Sequence, residues 1–138
     1  MPMTAPILGL VRQGWISLAL WMSFGLLVEG LIGFRIPALL DDPVRREMFR
    51  LAHAHGTLFN VVLIVAAIGA RLELVTLTRL ASRTMRLAVV LLPGGFLLGG
   101  IWHFKDDPGF GVWLVPVGAV LMIFSALLLA LSARREQS

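Results

Sequence analysis

Four apolar stretches, at residues 15–34, 49–70, 85–104 and 111–133, each reach about the twenty residues that a helix needs to cross a hydrocarbon core roughly 30 Å thick. Length at this hydrophobicity constrains the fold more than any single motif. A bilayer offers no water to a stray amide, so only helices and closed barrels span it. The stretches lack the strict alternation of barrel strands, which leaves helices. With 58% hydrophobic and 14% charged residues in 138, the chain lies far outside soluble composition and has room for one domain. The expected fold is all-α, a four-helix transmembrane bundle of up-down topology with helices at about 15–34, 43–70, 85–104 and 111–133.

The connections carry their own signals. Between the first two spans, Ile36-Pro37 and Asp41-Asp42-Pro43 predict an irregular run before a helix that Asp42 caps and Pro43 opens. Residues 72–84 lack proline and glycine but hold Arg79 and Arg83 among leucines, which suits a partly helical segment along the membrane surface. Lys105, Asp106, Asp107, Pro108 and Gly109 predict a tight turn, making the third and fourth spans an antiparallel hairpin. Pro93 and Pro116 fall inside those spans and predict kinks. Residues 1–10 lack the basic, apolar and small-residue layout of a signal peptide, so the first helix is expected to persist in the mature protein.

The net charge of +4 comes from arginines that flank the apolar spans, and they form no basic stripe of the kind nucleic acid requires. The expected partner is the lipid bilayer. With the N-terminus inside, seven basic residues (Arg12, Arg71, Arg79, Arg83, Arg86, Arg134, Arg135) face five outside (Arg35, Arg45, Arg46, Arg50, Lys105). That asymmetry predicts both termini in the cytoplasm. The chain has no cysteine, which excludes disulfides, iron–sulfur clusters and thiolate metal sites.

Glu29, His53, His55 and His103 all fall near one end of their spans, the extracytoplasmic end in this orientation. Charge-capable groups cost roughly a few kcal/mol each in hydrocarbon, so they tend to face protein and mark a site. Gly25, Glu29 and Gly33 recur every four residues, as do Gly95, Gly99 and His103, placing each set on a small-residue packing stripe. His53, Gly56 and Asn60 share one face of the second span, while His55 points about 200° away from His53. The two histidines therefore serve different neighbours, and either one is a candidate to face inward. On the fourth span Gly111, Gly118, Ser125 and Ser132 recur every seven residues as a structural seam.

Imidazole nitrogen ligates haem iron, copper or zinc, and a carboxylate can complete or orient such a site. Candidate ligands are His55 and His53, then His103, with Gly56 giving room for a haem, Arg50 neutralising a propionate, and Glu29 and Asn60 tuning the site or carrying a proton. Because His-x-His on a helix does not present two ligands to one ion, a haem held edge-on or a site between subunits fits the spacing better. Each residue also has a plainer reading. The small residues are helix packing, His103 beside Trp102 and Lys105 is an interfacial group, Glu29 pairs with Arg35 or Arg50, and Asn60 is interhelical glue.

The runs Leu51-Ala52-His53-Ala54-His55-Gly56-Thr57, Asp107-Pro108-Gly109 and Leu114-Val115-Pro116-Val117-Gly118-Ala119 resemble an uncharacterised family of small four-helix bacterial membrane proteins. Glu29-Gly30 and Gly33-Phe34 extend the likeness over most of the chain, and it implies a bacterial inner membrane but no activity. More remotely, Ala54-His55-Gly56 is similar to the segment of haem–copper oxidase catalytic subunits that carries a low-spin haem ligand. That resemblance implies His55 as the ligand of a haem b, Gly56 as the residue permitting close approach and, since those subunits look like three four-helix units, a homotrimer. The chain departs from the oxidase pattern in lacking tyrosine and the adjacent histidine pair of the copper centre.

The expected function is binding of a haem or copper through histidines near one membrane face, for electron transfer with a redox partner or for metal handling, in a homo-oligomer. One alternative is a non-enzymatic assembly or scaffold subunit with structural histidines. Another is a proton-coupled carrier in which Glu29 and His53 titrate in a small cavity. Catalytic residues are not assigned, and no nucleophile elbow, His-Glu-x-x-His or P-loop is present.

Overall fold

The computed structural model describes residues 5–133, so Arg134, Arg135, the polar tail at 136–138 and the first residues lie outside it. Among the described residues the chain is all-α. Long helices α1 (Ala5–Gly33), α3 (Pro43–Arg71), α4 (Arg79–Ile101) and α5 (Leu114–Ser132) are joined by the short helix α2 (Pro37–Leu40) and a 3-10 turn, Phe110–Trp113. Each of the four long helices, α5 taken together with its 3-10 turn, is long and apolar enough to cross a membrane, giving the four-helix bundle of a multi-pass membrane protein.

Helices succeed one another in space as in sequence: α3 lies between α1 and α4, and α4 between α3 and α5. A common core joins all four at the end where α3 finishes and α4 begins, built on Leu10, Leu63, Ala67, Met85, Val89 and Met122. Trp21, Phe24 and Phe49 fill the opposite half of the α1–α3 interface with edge-on ring contacts, at centroid distances of 5.8 and 5.4 Å. α1 and α5 turn most of their surface outward, as a bilayer permits.

Helix ends follow local chemistry. Asp42 caps α3 as expected, its Oδ1 accepting from the Arg45 amide at 2.9 Å, with Pro43 at the first helical position. Thr78 caps α4 through a 3.1 Å bond from the Ala81 amide, so this helix begins at Arg79 and not near residue 85. Its first turns are polar on the side bearing Arg79, Arg83 and Arg86 but bury Ala81, Thr84 and Met85. Similarly, α1 starts at Ala5 because Leu10 docks into the core, although Arg12 and Gln13 read as a polar flank. α1 and α3 end in left-handed residues, Arg35 (φ 55°) and Glu73 (φ 60°), each followed by an amide reaching back five residues, Ile36 to Leu31 and Leu74 to Gly69, at 3.0 Å.

Neither proline breaks a helix. Pro93 is buried within an unbroken α4, and Pro116 falls in the first turn of α5, just after the 3-10 turn gives way to α-helix. α4 ends at Ile101, short of residue 104, because the chain turns there and the Gly109 amide bonds back to the Gly99 carbonyl at 2.9 Å.

The seven-residue seam on the last span faces α4 at Gly111, Gly118 and Ser125, and at Ser132 its hydroxyl accepts from the Thr76 amide of the connection before α4, at 3.0 Å. Gly118 sits against the Leu92 backbone, Gly111 against Leu98 and Gly99, and the Ser125 hydroxyl lies 2.7 Å from that of Thr84. A Cβ on Gly118 would come within 2.6 Å of the Leu92 nitrogen, backbone that cannot step aside. Gly118→Val should therefore destabilise the protein by about 1–3 kcal/mol, read as a lower melting temperature in detergent. Gly94→Ala, where an added Cβ meets nothing within 4 Å, should leave the melting temperature unchanged or slightly higher.

Candidate functional site

α1 and α3 interlock through two rings set into glycine notches. The Trp21 indole of α1 lies over Gly56 of α3, and the His53 imidazole of α3 lies over Gly25 of α1; a Cβ on either glycine would enter the ring. His53 Nδ1 donates to the Trp21 carbonyl oxygen across 2.9 Å. Since a carbonyl only accepts, Nδ1 is the donor, and of the two neutral tautomers the one this bond selects has its lone pair on Nε2.

Beside this lock, towards the start of α3, lies a groove of about 340 Å³ whose lining includes Glu29, Glu47, Arg50 and His53. The groove combines two carboxylates, a guanidinium and an imidazole on residues from two helices. Glu29 is exposed, and among the described residues it makes no ion pair with Arg35 or Arg50. The expected packing stripe through Glu29 is confined to Gly25, because Gly33 stands in open space. Glu47 was missed as a site residue. Its signal was its place one turn before Arg50 and about two before His53 and Ala54, which bound the same groove.

His55 serves a different neighbour. Its Nδ1 donates to the Leu51 carbonyl of its own helix at 2.9 Å, and its ring lies 5.1 Å from Phe96 of α4, with Phe59 edge-on at 6.0 Å. His53 thus addresses α1 and His55 addresses α4, the divergence that helical spacing required. Gly56 is no open approach for a haem, since the Trp21 indole already covers it. Asn60 is fully buried; its Nδ2 donates to the Gly56 carbonyl at 2.7 Å, while Oδ1 has no hydrogen-bond partner.

His103 lies past the end of α4, outside the membrane-spanning helix, and bridges to the start of α3. Its Nε2 approaches Asp42 Oδ2 at 2.8 Å and its Nδ1 the Phe104 carbonyl at 2.7 Å. Both ring nitrogens face acceptors, an arrangement that only the imidazolium satisfies in full. The Phe104 carbonyl and then the Asp42 carboxylate accordingly hold the His103 pKa above its ordinary value. Partial desolvation works against the Asp42 carboxylate, but the Arg45 amide, His103 and the Arg45 charge outweigh it and set its pKa below the ordinary value. Arg45 completes the junction by donating to the Gly100 carbonyl at 3.3 Å. This junction ties α3 to α4 and shares no residue with the α1–α3 groove.

The three histidines therefore sit in three surroundings, and among the described residues no group of three or more His, Cys, Asp or Glu side chains could hold a metal ion. Among the described residues His53, His55 and His103 therefore do not converge on one ion. Comparison with family models, curated proteins and solved structures finds no match, so the functional reading rests on this geometry.

Two outcomes follow. The His103 contribution is complete below about pH 6.5 and is lost as pH rises through its raised pKa; the Asp42 contribution is complete above about pH 4 and is lost as pH falls through its lowered one. Melting temperature in detergent should thus have a plateau between those limits, and His103→Gln should remove the decline on the alkaline side. Asn60→Leu, which removes the orphaned oxygen, should raise stability by roughly 1 kcal/mol in the same assay; a loss would mark Oδ1 as holding a water or ligand.

Proposed function

We propose that this chain is a membrane subunit that takes a haem at its α1–α3 groove through one imidazole per chain, His53, and serves electron transfer. The observation that carries this reading is the bond from His53 Nδ1 to the Trp21 carbonyl. Imidazoles that ligate metals characteristically donate their other nitrogen to a carbonyl or carboxylate, which fixes the tautomer and raises the basicity of Nε2. Arg50 lines the same groove and would neutralise a propionate, while Glu29 and Glu47 supply carboxylates able to move a proton. A bound haem would bring the one-electron chemistry, and the protein's part is to orient His53 and supply the charges around it.

The groove is open and holds about 340 Å³, so much of such a ring would lie against lipid or a second copy of the chain. That favours a homo-oligomer, with the trimer among its forms. Both termini in the cytoplasm of a bacterial inner membrane would put the groove at the extracytoplasmic face, open to a redox partner.

A second reading has its own support. His55 is occupied by Leu51, Phe59 and Phe96, and His103 by Asp42 and Phe104, as structural histidines would be. If His53 is a third of that kind, the chain is an assembly subunit. One preparation separates the two. Protein purified in mild detergent from cells supplied with haem precursor and metals should show a Soret band stoichiometric with the chain, absent in His53→Ala and retained in His103→Gln. A folded protein with no chromophore, in which His53→Ala only lowers the melting temperature, would overturn the haem reading in favour of the assembly subunit.

A further inference from the structure

At the other membrane end, α1 and α4 meet at Leu10 and Met85 in the common core and through Gln13 and Arg86, then leave a trough between them. Its deep part, about 370 Å³, is lined by Leu20, Trp21 and Phe24 of α1 and by Val89, Gly94 and Leu97 of α4. Its outer part, about 380 Å³, opens between Arg12, Gln13 and Arg86. Both parts include Ser17, Leu20 and Val90, so they form one channel. From Arg86 to Leu97 the trough follows α4 for about 17 Å at 1.5 Å per residue, close to the depth of one leaflet, roughly 15 Å.

The mouth is cationic in an unbalanced way. Arg79, Arg83 and Arg86 recur along one side of α4 and line a third hollow, about 570 Å³, that also includes Glu73 and Ser82. Among the described residues none of Arg12, Arg79, Arg83 and Arg86 forms an ion pair. Gln13 Oε1 accepts from Arg86 Nε at 2.5 Å and Gln13 Nε2 donates to the Arg86 carbonyl at 3.4 Å, which orients the guanidinium while leaving its terminal nitrogens to other acceptors. At the opposite end Arg45 pairs with Asp42 and Arg46 donates to the Leu40 carbonyl, while among the described residues Arg35 and Arg50 form no ion pair.

We infer that the trough is a binding site for one anionic phospholipid, its phosphate on Arg12 and Arg86 and one acyl chain lying between α1 and α4. The apolar lining matches the tail, the unpaired guanidiniums match the headgroup, and the distance between them is that of a single leaflet. Arginine gives bidentate recognition of phosphate oxygens, and the low dielectric below the mouth strengthens it. The inference does not depend on the haem reading, whose groove lies at the opposite end of α1.

The test is native mass spectrometry of the detergent-purified full chain, delipidated and then titrated with phosphatidylglycerol or phosphatidylcholine of identical acyl chains. We expect one phosphatidylglycerol per chain, held at least tenfold more tightly than phosphatidylcholine. Arg12→Gln with Arg86→Gln should remove that preference, whereas Arg46→Gln with Lys105→Gln, which loses the same charge at the other end, should keep it. Gly94→Leu, directed into a space where nothing lies within 4 Å of an added Cβ, should weaken binding at least tenfold while the mouth stays intact. Melting temperatures of all variants confirm folding, and the arginine pair decides the matter if Gly94→Leu does not fold. Equal retention of the two lipids would overturn the inference, as would unaltered binding by Gly94→Leu. So would a dimer, free of lipid, that Gly94→Leu dissociates, since the trough would then seat a second copy.

Discussion

The close approach of helices at glycine is the constraint on which the rest of this molecule depends. Lipid tails are as apolar as leucine, so no hydrophobic force holds membrane helices together, and association rests on packing and polar contacts. Here α1 and α3 are held by rings placed into missing side chains, Trp21 over Gly56 and His53 over Gly25. The backbones are thereby near enough for an imidazole on one helix to bond a carbonyl on the other. On the far side, Gly95, Gly111 and Gly118 bring α4 and α5 together in the same manner, leaving α3 and α4 as the central pair.

That economy explains where polar groups can reside. A bundle knitted by glycine has shallow grooves along its outer helix α1, and each groove inherits the charges at its membrane end. The α1–α3 groove collects carboxylates, an arginine and an imidazole, whereas the α1–α4 trough collects arginines alone. Two grooves of different charge follow from one packing rule. The His103–Asp42 contact has a different purpose: it lies beyond the helices and fixes the end of α4 to the start of α3 through an ionic bond that titrates.

Four spans, their order and the Asp42 cap were legible in the sequence because hydropathy and capping are local properties. The divergence of His53 and His55 was legible as well, being a consequence of 3.6 residues per turn. Helix ends were less so. α1 and α4 both extend past the apolar run, α1 because Leu10 docks into the common core and α4 because Thr78 caps it and Ala81 and Thr84 are buried, features that no hydropathy window reveals. The reach of the small-residue packing stripe through Glu29 was not legible for the same kind of reason: equal spacing places Gly25 and Gly33 on one face, but within this chain only the first is met by another helix.

By itself the sequence determined the class of this protein: a helical, cysteine-free, multi-pass membrane protein whose ionisable groups gather at the span ends, because the cost of burying backbone and charge in hydrocarbon allows little else. Only the tertiary structure decided which of those groups meet. It sent His53 to α1, His55 to Phe96 on α4 and His103 to Asp42, and it covered Gly56 with Trp21. The physical reason is that a helix specifies the direction of each side chain, while the partner found in that direction depends on the crossing and depth of a neighbouring helix, quantities set by packing across the whole bundle.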